Sequence, residues 1–333
     1  MTWKAGTAST VITPDKPLWL AGYAARTEPA RGVIADLRAK ALAIEDDAGE
    51  RLVLITVDLI AITFVQSSAV ARALLNRYGI PRERLLMTAS HTHYGPEIRG
   101  DKALFFGIPD EYARKIAAAS QALVSAMIGV AARALADLKP ARLFARHTTA
   151  TFADNRRAHG DVVDHDVPVL EVVDDTARRL AVVFGYACHN TTIPPEDCRY
   201  CGDWAGFAQT QIERDAGPGC TALFITGAAA DQNPHPRGSV ELSRHHGAAL
   251  AAAVTSSLTS PGREITPRPR VAYEEVPLPL QPVERHLLEA NLASADKPLA
   301  RKAKFLLEQM DGAGLITDYR APIHVVRLGN ELL

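Results

Sequence analysis

The chain has 333 residues, is 47% hydrophobic and 23% charged, and carries a net charge of −1 with no long run of one sign. That balance argues against a nucleic-acid groove or an anionic membrane surface as a partner, and the length suffices to bury a large core without disulfides or a structural metal. Met1 to Gly6 lacks the basic start and apolar stretch of a secretory leader, and no run approaches the ~18 apolar residues of a membrane span, so the sequence as written reads as soluble and cytoplasmic, or as secreted if a leader has been removed.

Thr7 to Thr13 is rich in Thr, Val and Ile and stops at Pro14, which predicts a strand. Leu18 to Tyr23 follows, with Gly22 and Tyr23 suggesting a loop near something functional. Ala39 to Ile44 and Arg51 to Asp58 flank Asp46-Asp47-Ala48-Gly49, a hairpin signal. Val65 to Tyr78 has helical spacing, and Gly79 suits its C-cap position. Leu85 to Ala89 reads as a buried strand that runs into Ser90-His91-Thr92-His93-Tyr94-Gly95-Pro96, where Gly-Pro stops regular structure. Pro109-Asp110 opens an Ala-rich helix over 111–138, ended by Lys139-Pro140. Ala141 to Thr148 is a strand. Val167 to Val173 and Leu180 to Ala187 form a second hairpin, whose return strand enters Cys188-His189-Asn190-Thr191-Thr192. Asp203 to Arg214 reads as a helix capped by Asp203. Thr221 to Thr226 is a strand ending toward Asp231-Gln232-Asn233-Pro234, and Ser239 to Leu258 a helix with His245 and His246 on its surface.

The proline-rich stretch 261–282 joins a core, 1–261, to a smaller part of the same domain, 262–333. There Val283 to Met310 reads as one or two exposed helices broken or kinked at Pro298. Ile323 to Leu328 reads as a last strand, and Gly329-Asn330 turns into a return strand, so the part looks incomplete. Hairpins near residues 48 and 175 argue against a purely parallel doubly wound sheet. The expectation is a mixed α/β (α+β) fold, with mixed sheets and β-hairpins flanked by helices and a site at the carboxyl ends of strands.

Four strands end in chemically capable groups: His91 and His93, His189, Asp231 to Asn233, and Asp58. Ligands collect at the carboxyl ends of strands in α/β sheets, and His with Asp is the donor set of catalytic zinc. Arg156, in Asp154-Asn155-Arg156-Arg157, adds a cation for a carboxylate or a developing oxyanion. Each also has a plainer reading: Asp203 as a helix cap, Asp231 to Asn233 as a turn, Arg156 and Arg157 as solvated cations. Cys198-x-x-Cys201 reads as a reduced loop pair, with a redox pair or half a zinc site as the alternatives.

Ser90 to Pro96 resembles the His-Thr-His-Ser-Gly-Pro motif of the neutral/alkaline ceramidase family. Gly6 to Pro14, Leu20 to Tyr23, Asp36 to Ala41, Thr56 to Leu59, Asn155-Arg156, Ala187 to Thr192, Gly202 to Gly206 and Ala230 to Pro234 are similar to other segments of that family, in the same order. The resemblance implies a zinc-dependent hydrolase in which metal-activated water attacks an amide or related acyl bond. By position, His91 and His189 would bind Zn2+, His93 would orient the amide or its oxyanion, and Arg156 would line the pocket. The substrate would be a small acyl amide, with a lipid-like one among the options. Tyr94 stands where the family has Ser, and Asn233 falls at the family's serine, where it can hydrogen-bond but not act as a nucleophile. Asp231 keeps the family's Asp beside it and counts, with His93, Arg156 and Asn233, among the candidate catalytic residues. The family's Glu and Tyr ligands have no counterpart up to Leu333. Three expectations remain open: a truncated piece, oxygens from Asp58, Asp203 or Asp231, or a catalytically inactive scaffold binding a small ligand.

Overall fold

The apolar runs of the sequence become strands buried on both faces. The computed structural model describes residues 2–158 and 160–332. Its first half contains β1 (Trp3–Val11), β2 (Gly32–Val33), β3 (Arg38–Glu45), β4 (Arg51–Val57), α1 (Phe64–Tyr78), β5 (Leu85–Ala89), α2 (Ala103–Phe106) and α3 (Ala113–Ala136). Then come β6 (Lys139–Thr149), β7 (Ala153–Asn155), β8 (Asp166–Asp174), β9 (Arg179–Tyr186), β10 (Arg199–Tyr200), α4 (Asp203–Ala216), β11 (Thr221–Thr226), β12 (Gln232–Pro234) and α5 (Val240–Ser257). The last part holds β13 (Arg263–Glu264), β14 (Pro269–Pro279), α6 (Arg285–Asn291), α7 (Lys297–Asp311), β15 (Asp318–Leu328) and β16 (Glu331–Leu332).

The main sheet runs β11-β9-β8-β6-β1-β3-β4-β5, with β13 added beside β6. The pairs β4–β5 and β9–β11 are parallel and the other neighbours antiparallel, as the two hairpins require. The sheet folds back on itself, and side-chain alternation records it. In β3, Ala39, Ala41 and Ala43 face α1 and α3, whereas Leu42 and Ile44 meet Leu170, Val172, Val183 and Leu223 of the other half. In β9, Val182 and Phe184 face α4 and α5, and Ala181 and Val183 face inward. The result is helices, half-sheet, half-sheet, helices. Gly6 lets α3 lie against β1, because a Cβ there would be 2.2 Å from the Ala134 carbonyl oxygen.

Lys40 is 2% exposed between the half-sheets, where its Nζ donates to Glu213 Oε1 at 2.7 Å and to the Ala222 carbonyl at 2.8 Å. The C-terminal part leans on the same core. β13 pairs with β6, Trp3 Nε1 donates to the Ile265 carbonyl at 2.8 Å, and Val326 and Leu328 enter the inter-sheet cluster.

Several expectations change. Residues Asp110–Ala136 form a helix long and apolar enough to cross a membrane by length and composition, unlike the expectation of no such run; alanines make up much of it, and one face, from Ile116 to Ala134, is buried in the core. Pro298 breaks no helix but lies in the first turn of α7, whose cap is Asp296. Asp203 does not cap α4 from outside: Gly202 is the cap residue and Asp203 the first helical one. His246 is buried, stacked 4.6 Å from Phe152 with Nε2 at 2.7 Å from the Pro236 carbonyl, because its turn of α5 faces the core.

Candidate metal centre

His91 and His93 follow β5, and His189 follows β9, so the fold-back of the sheet brings two distant strand ends together. The ring centroids lie 5.2 Å (His91–His93), 4.9 Å (His91–His189) and 5.8 Å (His93–His189) apart, and one nitrogen of each ring lies within 4.8 Å of the others. Nδ1 of His91 is 2.8 Å from the Ile60 carbonyl, and Nδ1 of His189 is 2.6 Å from the Ala229 carbonyl. A carbonyl only accepts, so each Nδ1 carries the proton and each Nε2 keeps a lone pair. A backbone carbonyl behind the ring is the usual support of a metal-binding histidine.

His93 differs. Neither of its nitrogens has a hydrogen-bond partner among the described residues, although both are buried. Its ring sits 4.8 Å from Tyr23 and is cradled by Gly22, where a Cβ would be 2.5 Å away and where φ is +99°. Burial first, then its two histidine neighbours and the charges of Arg26 and Arg156, push His93 down to about 3. Burial also lowers His91 and His189. Three neutral imidazoles with lone pairs to offer, one without a hydrogen-bond partner among the described residues, fit a divalent metal ion.

The frame around the rings is polar and largely buried. His91 has φ +60°, a left-handed backbone that costs a residue with a Cβ. Asn190, fully buried, donates from Nδ2 to the Ser90 carbonyl at 2.5 Å and accepts from the Ala205 amide at 3.1 Å. Arg26 donates from Nη1 to the carbonyls of Ala21 and His93, both at 2.6 Å, and lies 4.9 Å from the Tyr23 ring and 5.1 Å from that of Tyr94. Thr92 Oγ1 donates to the Cys201 carbonyl at 2.8 Å, and the Tyr94 hydroxyl to that of Ile193.

The remaining candidates divide. Pairing of β7 with β12 places Arg156 beside Asp231, whose carbonyl accepts from the Arg156 amide at 2.7 Å. The Arg156 guanidinium is exposed, yet its charge lowers all three histidines. Asn233 accepts through its Oδ1 from the hydroxyl of Thr191, two residues after His189, at 3.4 Å. Asp58 is buried among donors, the Arg38 amide at 2.9 Å and Gln209 Nε2 at 3.1 Å. Asp203 accepts from the amides of Thr192 (2.8 Å), Ile193 (3.4 Å) and Trp204 (2.6 Å) and from the Ser243 hydroxyl (2.5 Å); burial raises it while these donors pull it down. Neither carboxylate joins the histidine group among the described residues. Cys198 and Cys201 are both buried and unbridged, and burial raises the Cys201 thiol, which disfavours the thiolate that redox chemistry needs.

Arg26, Asn190 and the two carbonyls behind the rings escaped the sequence reading. Asn190 lay in the histidine segment without a role, and Gly22 and Tyr23 marked their loop, but nothing signalled that Arg26 would reach His93.

The family model described as "Neutral/alkaline non-lysosomal ceramidase, N-terminal" matches residues 4–233. Among solved structures, the chain is similar to neutral ceramidase from Pseudomonas aeruginosa, with TM-score 0.78 and 20% identity over 99% of this chain and 61% of that one. A structure described as ceramidase complexed with C2 gives TM-score 0.78 and 20% identity over 99% and 62%. At that identity the likeness is one of fold, and the chain spans about three-fifths of the length of these relatives. No curated protein matches the sequence.

Proposed function

The chain belongs to the neutral/alkaline non-lysosomal ceramidase family, and on that premise we propose that it hydrolyses an acyl amide with a bound zinc ion. The observation that carries the reading is the histidine group itself: His91 and His189 anchored at Nδ1 by carbonyls, with His93 beside them and without a hydrogen-bond partner among the described residues. His91 and His189 would hold the metal. Zinc, when bound, polarises an acyl carbonyl and makes water nucleophilic near neutral pH. His93 lacks the carbonyl support of a ligand, stays neutral, and offers an N–H to the acyl oxygen as negative charge develops there. Arg156 adds positive potential at the mouth. Asn233, oriented by Thr191, hydrogen-bonds substrate or water. Asp231 holds the Arg156 loop through its backbone carbonyl, which accepts from the Arg156 amide.

The test is zinc content together with turnover of a panel of N-acyl amides of increasing chain length. Stoichiometric zinc and chelator-sensitive hydrolysis, lost in His91→Ala, are expected. A folded protein that contains no zinc, and that added zinc leaves unchanged, overturns the reading. Asn233 at the family's serine favours a second reading, a scaffold that binds a small ligand without turning it over. Chelator-sensitive release of acid from any of these amides removes it.

A further inference from the structure

Two histidines from strand ends 98 positions apart can share a metal only if their backbones are locked to each other. We propose that Asn190 is the positioning residue that does this, setting the spacing of His91 and His189; the inference rests on the metal reading above. Asn190 follows His189 directly in the chain. Its Nδ2 donates to the carbonyl of Ser90, the residue just before His91. That carbonyl belongs to the peptide plane whose rotation relative to Cα defines φ of His91, so fixing it fixes the left-handed turn, φ +60°, that aims the His91 ring. The main chain adds to the lock: Asn190 forms a parallel bridge with Thr92, and its carbonyl accepts from the His93 amide at 3.4 Å.

The other end of the same amide is fixed as well. Oδ1 accepts from the amide of Ala205 in the first turn of α4. A carbonyl on one side and an N–H on the other leave a single orientation of the Asn amide. Asp203, two residues earlier, holds the amides of Thr192 and Ile193 just beyond the histidine segment. Through one fully buried side chain, the two histidine segments and α4 therefore form one unit. Only an amide serves. Aspartate has nearly the same shape but turns an oxygen toward the Ser90 carbonyl, and alanine touches neither partner.

The test compares wild type with Asn190→Asp, Asn190→Ala and a control, Gln66→Ala. The control removes hydrogen bonds from Thr63 and to Ser120 at α1, with no tie to the histidines. Zinc affinity is read by competition with a chromophoric chelator, and coordination by the visible spectrum of the cobalt-substituted proteins. Both Asn190 variants are expected to bind zinc ~10–100-fold more weakly, with an altered cobalt spectrum, as when support behind metal ligands is lost. The control is expected to keep wild-type affinity whatever its melting temperature. Unchanged affinity in folded Asn190 variants overturns the inference and leaves the metal reading standing. A wild type that takes up no metal overturns both. If neither variant folds, a crystal structure of the wild type decides: His91 outside the left-handed region, or Asn190 turned away from Ser90, overturns the inference.

Discussion

His93 is the residue on which the chemistry of the site turns. A neutral ring with two unpartnered nitrogens can complete a metal's coordination or donate to a substrate oxygen, and the two roles separate experimentally. His93→Ala should lower kcat/KM on an acyl amide by ~10²–10³ while zinc content stays at the wild-type level, the size of effect seen when a single oxyanion donor is removed. A matching loss of zinc would make it a ligand instead. Gly22 matters for the same ring. Gly22→Ala would set a Cβ 2.5 Å from the imidazole, at a φ of +99° that residues with a Cβ rarely adopt. It should cost ~1–3 kcal/mol in urea unfolding and reduce turnover by displacing His93. An unchanged unfolding midpoint would mean that the ring and the loop move apart without strain.

Among the elements, the β8–β9 hairpin shows how local chemistry sets a register. Asp174 accepts from the hydroxyl and amide of Thr176 and from the amide and Nε of Arg178, so the turn is wrapped around one carboxylate. The Thr176 hydroxyl first, with the backbone amides of Arg178 and Thr176, holds it at about 2, below its ordinary 3.8. The folded value is the depressed one. Its stabilising contribution is therefore present above about 3.8 and lost as the pH falls toward about 2. Asp174→Asn should flatten the fall in unfolding midpoint between pH 4 and pH 2 relative to wild type, measured by circular dichroism. Equal slopes would show that other carboxylates govern acid unfolding. The same hairpin delivers His189, so the turn contributes indirectly to the site's register. At α1 the elements followed local rules: Thr63 and Gln66 form a capping box, and Gly79 closes the helix at φ +67°.

Across the whole molecule, the folded-back sheet is what creates a site. Lys40 links its halves from inside, joining β3 to β11 and to Glu213 of α4. Lys40→Ala should destabilise the protein by about 3 kcal/mol in chemical denaturation, the lower end for a broken buried pair because Glu213 keeps some contact with solvent. A loss under about 1 kcal/mol would show that the half-sheets hold together by apolar packing alone.

Much of this was legible in one dimension. The apolar runs and the Asp-rich and Gly-marked turns are local signals, and they placed β1, β3 to β6, β8, β9, β11 and the two hairpins of the main sheet within a few residues, while β13 carried no such signal. His91, His93 and His189 were legible as strand-end histidines because a side chain's chemistry travels with its position in sequence. Local patterning could not show that strands buried on both faces belong to a sheet folded on itself, since an apolar run reads the same in either case. Nor could it separate Asp58 and Asp203 from the histidines: a carboxylate has the same chemistry whether it faces a metal or a set of protein donors. Tertiary structure decided both, because burial and hydrogen-bond partners are set by segments far apart in the chain. Asn190 makes the point most clearly. Its type and place were visible beside His189, but its work depends on a carbonyl 100 positions away.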